Sequence, residues 1–461
     1  MSVHGGPGYR LVRGFARLVL GLFYRRLEVV GAERVPAGGA LILAANHQNA
    51  LVDPMLLLAA VERRLVPLAK APLFRHPLIG PFLRLVGAIA VHRREDPGSD
   101  PALNQAMFRS VIAWLQAGGA LLIFPEGGSR PEPALRPLRS GAARMLLAAE
   151  AASGGALGVR LVPAGLVFHE PGGFRTGRAL VIIGEPLPTA DCIALYATDP
   201  AAAVRRLTDR LAERLRAVMV EADDRQTLQL LELLGTMWRQ EFADVARDPG
   251  ARAQWMQRAM RAYRYLQRAQ PRRAAGFRRS VEHYAKALDL AGVGAQQLSR
   301  SYARGVVWRY ALREGLSLLL GLPLALLGMV LHLAPYLSTA GAVRALRPDP
   351  DEQATYGIAA ATVLYPACWA LGGWVAWQLG GGAWLTAYIL ALAPAGFFAL
   401  GWRARLERLR REARTFLHFL LHRDLHRRLA ARRRALVNEM TTLARAVPES
   451  VLDGDSPRAK N

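Results

Sequence analysis

The sequence predicts an α/β domain, a mixed sheet flanked by helices, followed by a helical region and C-terminal transmembrane helices. Three observations carry this. Short β-like runs alternate with helical stretches from Leu27 to about Leu187, residues 201–313 are helical and highly charged, and two later tracts are almost free of charge.

Within the first region ALILAAN, RLVPLAK, GAIAVHR, ALLIFPE, RLVPAGLVF and ALVIIGEP read as strands, being short, apolar and rich in branched side chains. LVDPMLLLAAVE, NQAMFRSVIAWLQAG and SGAARMLLAAEAAS between them read as helices. Ahead of them, Leu11, Phe15, Leu18, Val19, Leu22 and Phe23 recur at helical spacing among Arg10, Arg13, Arg17, Arg25 and Arg26. Such a helix lies in a membrane interface or packs on its own domain. The start also has the outline of a signal peptide, but Arg13 and Arg17 interrupt its apolar stretch and no small-residue cleavage site follows, so it is expected to be retained.

Gly315 to Leu337 and Tyr356 to Trp402 offer apolar length for roughly three spans of about 20 residues each. Arg300, Arg304, Arg309 and Arg313 precede the first tract, and Arg403, Arg405, Arg408, Arg410, Arg411 and Arg414 follow the last. The positive-inside rule assigns both flanks to the cytoplasm, which requires an even number of crossings. Pro323 and Pro335 make the first tract the candidate for a re-entrant segment. The expected boundaries are an interfacial helix over 1–26, the α/β domain over 27–200, a helical region over 201–313, two or three membrane helices over 314–402, and a basic amphipathic tail over 403–461 suited to an anionic leaflet.

The formal charge of +24 points to an anionic partner: nucleic acid, an anionic bilayer face or a phosphorylated substrate. Nucleic acid has only the charge behind it, because no zinc spacing, aromatic RNA-binding block or recognition helix is present. Cys192 and Cys368 are the only cysteines, too far apart in character to imply a disulfide framework or a zinc site. A reducing cytoplasm fits that usage.

Chemistry concentrates in three blocks. In AANHQNALVDP, His47 follows an apolar strand and Asp53 precedes a helix, at a loop mouth where α/β proteins place active sites. A neutral imidazole there takes the proton of an attacking hydroxyl, and a carboxylate on its other nitrogen holds the tautomer. Asp53-Pro54 also reads as a plain helix start, with the aspartate as N-cap. In IFPEGGSR, Gly127 and Gly128 would let backbone N–H groups approach a substrate, Glu126 would accept from hydroxyls, and Ser129 and Arg130 complete a loop suited to a phosphate. GAIAVHRR ends a strand on Arg93 and Arg94, which fork onto phosphate oxygens.

Taken in order, with VPAGLVF after them, these blocks resemble the phospholipid/glycerol acyltransferase superfamily, the PlsC-like enzymes, over roughly Gly31 to Leu187. That family's Asn/His block corresponds to Asn46 to Asp53, its Gly-strand-Arg block to Gly87 to Arg93, its Phe-Pro-Glu-Gly block to Phe124 to Arg130, and its Val-Pro strand to Val162 to Phe168. LRPLRSGAARM and FRTGRALVIIGEPL are similar to its later blocks. Five residues rather than the usual four separate His47 from Asp53, and this spacing with VDP and FPEGGS looks most like the fungal-type glycerol-3-phosphate/dihydroxyacetone-phosphate acyltransferases.

The resemblance implies His47 as base, Asp53 as its orienter, Asn46, Arg93, Glu126, Gly127, Gly128, Ser129 and Arg130 around the acceptor, and Val162 and Pro163 supporting the acyl-donor side. It implies an acyl donor, acyl-CoA or acylated carrier protein, a glycerol phosphate acceptor, and no cofactor or metal. Alternatives remain a lysophospholipid acceptor and a catalytically silent lipid-binding protein. Oligomeric state and the task of 201–313 are not legible.

Overall fold

A computed structural model of the chain describes residues 5–24, 26–77, 79–92, 101–130, 132, 134–169, 177–219, 225–241, 249–293, 304–349, 352–421 and 423–453. Two compact units emerge: the first comprises Met1–Leu228, Pro249–Met260 and Asp349–Thr355, the second Gln229–Asp248, Arg261–Pro348 and Tyr356–Asn461.

The first unit is built on β1 (Arg26–Val30), β2 (Leu41–Ala45), β3 (Leu65–Lys70), β4 (Ile89–Val91), β5 (Ala120–Ile123), β6 (Arg160–His169) and β7 (Arg178–Ile183), in the order β1-β7-β6-β2-β5-β3-β4. All pairs are parallel except β6 with β7. The mixed sheet is therefore as expected, with edge strand β1 added. Its sequence RLEVV carries a glutamate and an arginine and shows no long apolar run, so it hides from a hydropathy reading. β2 and β5 are buried along their whole length, which is why LILAA and ALLI are continuously apolar rather than alternating. Helices α1 (Pro7–Phe23), α2 (Val52–Ala60), α3 (Ile79–Val86), α4 (Pro101–Gln116), α5 (Gly141–Ala151), α6 (Ala190–Tyr196) and α7 (Pro200–Val218) complete it. The unit thus runs past residue 200 to take in α7, whose Leu207, Leu211 and Leu215 are core.

Helix α1 docks on this unit through Tyr9, Val12, Ala16 and Leu20, a stripe at i, i+3, i+4 spacing that differs from the apolar set read as interfacial. Its arginines are engaged too: Arg13 donates to the Glu62 carbonyl at 2.9 Å and Arg17 to that of Ala59 at 3.2 Å, satisfying acceptors at the C-terminal end of α2. Leu11 and Leu18 remain 70% and 59% exposed. The packed reading accounts for one face, and only the opposite one is left for an interface.

In the second unit α8 (Arg225–Glu241), α9 (Pro249–Ala269) and α10 (Pro271–Ala291) precede the apolar helices α11 (Arg304–Leu346) and α12 (Gln353–Leu421), with α13 (Arg423–Arg445) and α14 (Glu449–Asp453) after them; the first residues of α8, α9 and α12 belong to the first unit. α11 runs unbroken through Pro323 and Pro335, the tract expected to hold a re-entrant segment. The break lies instead in α12 at Gly380 and Gly381, where Gly381 takes φ +63°, a conformation outside the right-handed helix that glycine adopts without a Cβ penalty. Two helical stretches, Trp308–Leu346 and Gln353–Arg414, are long and apolar enough to cross a membrane. They pack closely: Trp402 Nε1 donates to the Leu318 carbonyl at 2.8 Å, and Gly328 sits directly against the Ala395 carbonyl.

The tail departs from expectation. Leu429, Leu436, Val437 and Leu443 of α13 are buried and α13 packs on α10, so the apolar face expected on a leaflet is spent inside the protein.

Candidate active site

β2 and β5 are neighbours in the sheet, and both motif loops leave from their C-terminal ends. This is where parallel α/β sheets gather functional side chains. His47 stands two residues beyond β2, and the loop to α2 turns back so that His47 Nδ1 lies 2.8 Å from Asp53 Oδ2. The extra residue between them does not prevent the pair from closing.

Asp53 is not the N-cap. Leu51 holds that position, and Asp53 lies within the first turn, wholly buried. Its Oδ2 accepts from the Gln48 and Asn49 backbone N–H groups at 2.6 and 2.8 Å as well as from His47. Two backbone donors and the ring nitrogen thus converge on one carboxylate oxygen, which sits in a nest of its own loop. With Nδ1 donating to Asp53, Nε2 is the basic nitrogen of the neutral ring, and among the described residues nothing hydrogen-bonds to it. The ring stacks on Phe124, centroids 4.1 Å apart and planes 19° from parallel, which fixes its second torsion. The His47 side chain keeps 16% exposure.

Asp53 Oδ1 and the Asn49 side-chain N–H are buried without partners among the described residues, as is the Tyr24 hydroxyl. Burial pushes the Tyr24 phenol up, and the Asp53 charge pushes it further.

Glu126 fastens the two loops together. Its Oε1 accepts from the His47 backbone N–H at 2.8 Å, and its Oε2 from the Arg136 backbone and Nε at 3.3 and 3.2 Å. At 8% exposure with both oxygens occupied, it does not face an acceptor hydroxyl, which corrects the role expected for it. Burial raises its carboxyl above the ordinary value, against the lowering effect of these donors and the Arg136 charge. The Arg130 backbone N–H donates to the His47 carbonyl at 3.1 Å, a further tie between the loops, while its side chain is exposed.

The space beside Gly127 is filled rather than open. Gly127 takes φ +78°, and a Cβ there would stand 2.5 Å from Arg139 Nε, so the turn and the guanidinium lying across it both require glycine. The Gly128 carbonyl accepts from Arg136 Nη2. Ser129 is half-buried at the end of this loop.

Asn46 is also corrected. It is wholly buried, donating to the Leu166 carbonyl at 3.0 Å and accepting from the Leu166 N–H at 2.6 Å, so its amide continues the β2–β6 pairing one step beyond the last strand residue. It positions His47 and has no face for substrate. Val162 and Pro163 lie inside β6, supporting the sheet below the site. Arg93 and Arg94 fall outside the described residues, as do Phe174 and Arg175. Sequence reasoning missed Arg136 and the stacking role of Phe124. The one available signal for Arg136 was its place in LRPLRSG beside an acid-bearing loop.

Residues 26–167 match the family described as Acyltransferase. This stretch belongs to the acyltransferase family. The match covers all of β1 to β5 and most of β6, and so contains the His47–Asp53 pair and Glu126. The chain is 35% identical over 130 residues to glycerol-3-phosphate O-acyltransferase 2 of Saccharomyces cerevisiae, covering 28% of this chain and 17% of that one. It is 26% identical over 309 residues to an uncharacterized acyltransferase of Schizosaccharomyces pombe, 48% and 45% of the two chains. It is 28% identical over 199 residues to the 1-acyl-sn-glycerol-3-phosphate acyltransferase of Bacillus subtilis, 43% of this chain and 90% of that one. The matched part is thus less than half the length of either fungal relative. The matched stretch accounts for the first unit's sheet except β7 and the end of β6, and the apolar helices lie outside it.

Proposed function

We propose that the chain is an O-acyltransferase that moves a fatty acyl group from a thioester, acyl-CoA or acylated carrier protein, to the hydroxyl of glycerol 3-phosphate or dihydroxyacetone phosphate. The observation that carries this is the His47–Asp53 contact at 2.8 Å, with Nε2 of the ring left to act. Nε2 takes the hydroxyl proton as the oxygen attacks the thioester carbonyl, and Asp53 stabilises the imidazolium that forms. Collapse of the tetrahedral species breaks the C–S bond, and the departing sulfur receives the same proton from Nε2. Arg130, exposed beside His47, supplies charge for the acceptor phosphate, with Arg93 assigned the same task.

The apolar helices hold the enzyme in a bilayer, where the acyl chain partitions while glycerol phosphate stays in water. Under the positive-inside rule the arginines flanking them favour the cytoplasm for those ends, and we assign the acyltransferase domain to the same side. The exposed Arg405, Arg408 and Arg410, just after the second tract, are suited to anionic lipid headgroups.

A second reading, lysophosphatidic acid as acceptor, is favoured by one observation: the match spans 90% of the Bacillus subtilis relative, whose name carries that acceptor. Acyl transfer is measured in membranes containing the protein, with glycerol 3-phosphate, dihydroxyacetone phosphate and lysophosphatidic acid offered separately and His47→Ala alongside. Turnover of either three-carbon phosphate, lost in the variant, is the expected result. Turnover of lysophosphatidic acid alone selects the second reading, and no His47-dependent turnover of any of the three defeats both.

A further inference from the structure

Five residues separate His47 from Asp53 in the loop that brings them together. Asp53 Oδ2 gathers the Gln48 and Asn49 N–H groups. The Leu51 N–H points elsewhere: it donates at 3.1 Å to Oγ1 of Thr355, a residue 304 positions away. Leu51 is the N-cap of α2, and its apolar side chain offers no acceptor for the helix start. Thr355 is 5% exposed and Ala354 4%, so the hydroxyl is held in place. The segment that carries it, Asp349–Thr355, belongs to the same compact unit as the loop, although it lies between the two apolar helices in sequence and far outside the matched stretch 26–167.

We propose that Thr355 is a positioning residue for the His47–Asp53 pair, holding the five-residue loop closed from outside the acyltransferase domain. The catalytic part of this inference rests on the acyl-transfer reading above. The Leu51 N–H is part-buried, so without an acceptor it either stays unpaired, at a cost larger than the net worth of the bond, or turns to water and opens the loop. The second course moves Asp53, two residues along, away from the ring it orients. A base displaced by a fraction of an ångström loses reaction rate and leaves acceptor binding alone.

The test uses the full-length chain in membranes or detergent, comparing wild type with Thr355→Val, which keeps the shape and removes the acceptor, and Thr355→Ser, which restores it. Two readouts are taken: kcat and KM for acyl transfer, and amide hydrogen exchange of the peptide spanning 48–55. Thr355→Val is expected to lower kcat roughly tenfold with acceptor KM within about twofold, and to speed exchange in that peptide while the β2 and β5 peptides keep wild-type protection. Thr355→Ser returns both readouts towards wild type. A Thr355→Val protein with wild-type kcat, or with unchanged exchange in 48–55, overturns the inference. So does loss of protection across the whole sheet without rescue by serine, which marks a merely structural role. If wild-type membranes transfer no acyl group, the acyl-transfer reading fails on its own, and the exchange comparison still decides whether Thr355 holds the loop.

Discussion

The His47 backbone N–H donates to Glu126 Oε1 at 2.8 Å, so the acid of one motif loop fixes the main chain of the residue that acts in the other. Glu126 also accepts from Arg136 and is nearly buried. Its contribution is therefore to geometry. Glu126→Gln keeps an acceptor for His47 but turns an N–H towards Arg136. We expect kcat to fall about tenfold, in keeping with the loss of one charged hydrogen bond, while acceptor KM stays near wild type. Steady-state kinetics over a range of acceptor concentrations measures this, and a rise in KM alone would return Glu126 to the acceptor site.

The same residue gives a pH signature. Burial lifts its folded carboxyl above the ordinary value, so the folded protein holds this proton more tightly than the unfolded chain does. Its contribution to stability is full below the unfolded value and is lost as pH rises through the folded one. The melting temperature of wild type relative to Glu126→Gln should therefore decline as pH climbs from about 4.5 and then level off. A difference that grows with pH would contradict the burial argument.

Asp53→Asn retains the size of the side chain while removing the charge and placing an amide where three donors converge. The ring loses the partner that selects its tautomer. A fall in kcat of about 10²–10⁴ is expected, with little change in KM. Thioester consumption followed spectroscopically checks it, and retention of more than about a tenth of wild-type kcat would refute the orienting role.

Tyr24 offers a change in the opposite direction. Its hydroxyl is buried and unpartnered among the described residues, so Tyr24→Phe removes a desolvated polar group without opening a cavity. Thermal unfolding in detergent should show a gain of up to about 1 kcal/mol, with kcat unaffected. A loss of stability would reveal a partner for the hydroxyl.

Gly328 meets the Ala395 carbonyl where α11 and α12 touch. Leucine at 328 forces the two helices apart and is expected to break the Trp402 to Leu318 bond between the same helices. Cysteine pairs introduced at Leu318 and Trp402 are expected to crosslink in the otherwise wild-type chain and to fail to do so when Gly328→Leu is added.

Much of the site was legible because its chemistry is local. His47, Asp53, Glu126 and the glycines fall in short blocks directly after apolar strands, and period and composition place those strands. What misled was the assignment of tasks. Asn46 and Glu126 look like substrate ligands in a linear motif, yet each finds its partners across the sheet, in Leu166 and Arg136. The arginines of α1 fitted either a membrane interface or a packed helix, and two of them end on carbonyls near the end of α2.

The sequence by itself determined the alternation that makes an α/β domain, the order of the motif blocks and the apolar length of the C-terminal helices, because each follows from side-chain period and hydropathy along neighbouring residues. Tertiary structure alone decided that the longer loop still closes His47 on Asp53, that Glu126 ties two loops rather than facing an acceptor, and that Thr355 reaches Leu51 from 304 residues away. Hydrogen bonds are short and directional, so which buried donor meets which acceptor depends on where the folded chain brings them together, and separation along the sequence carries no information about that meeting.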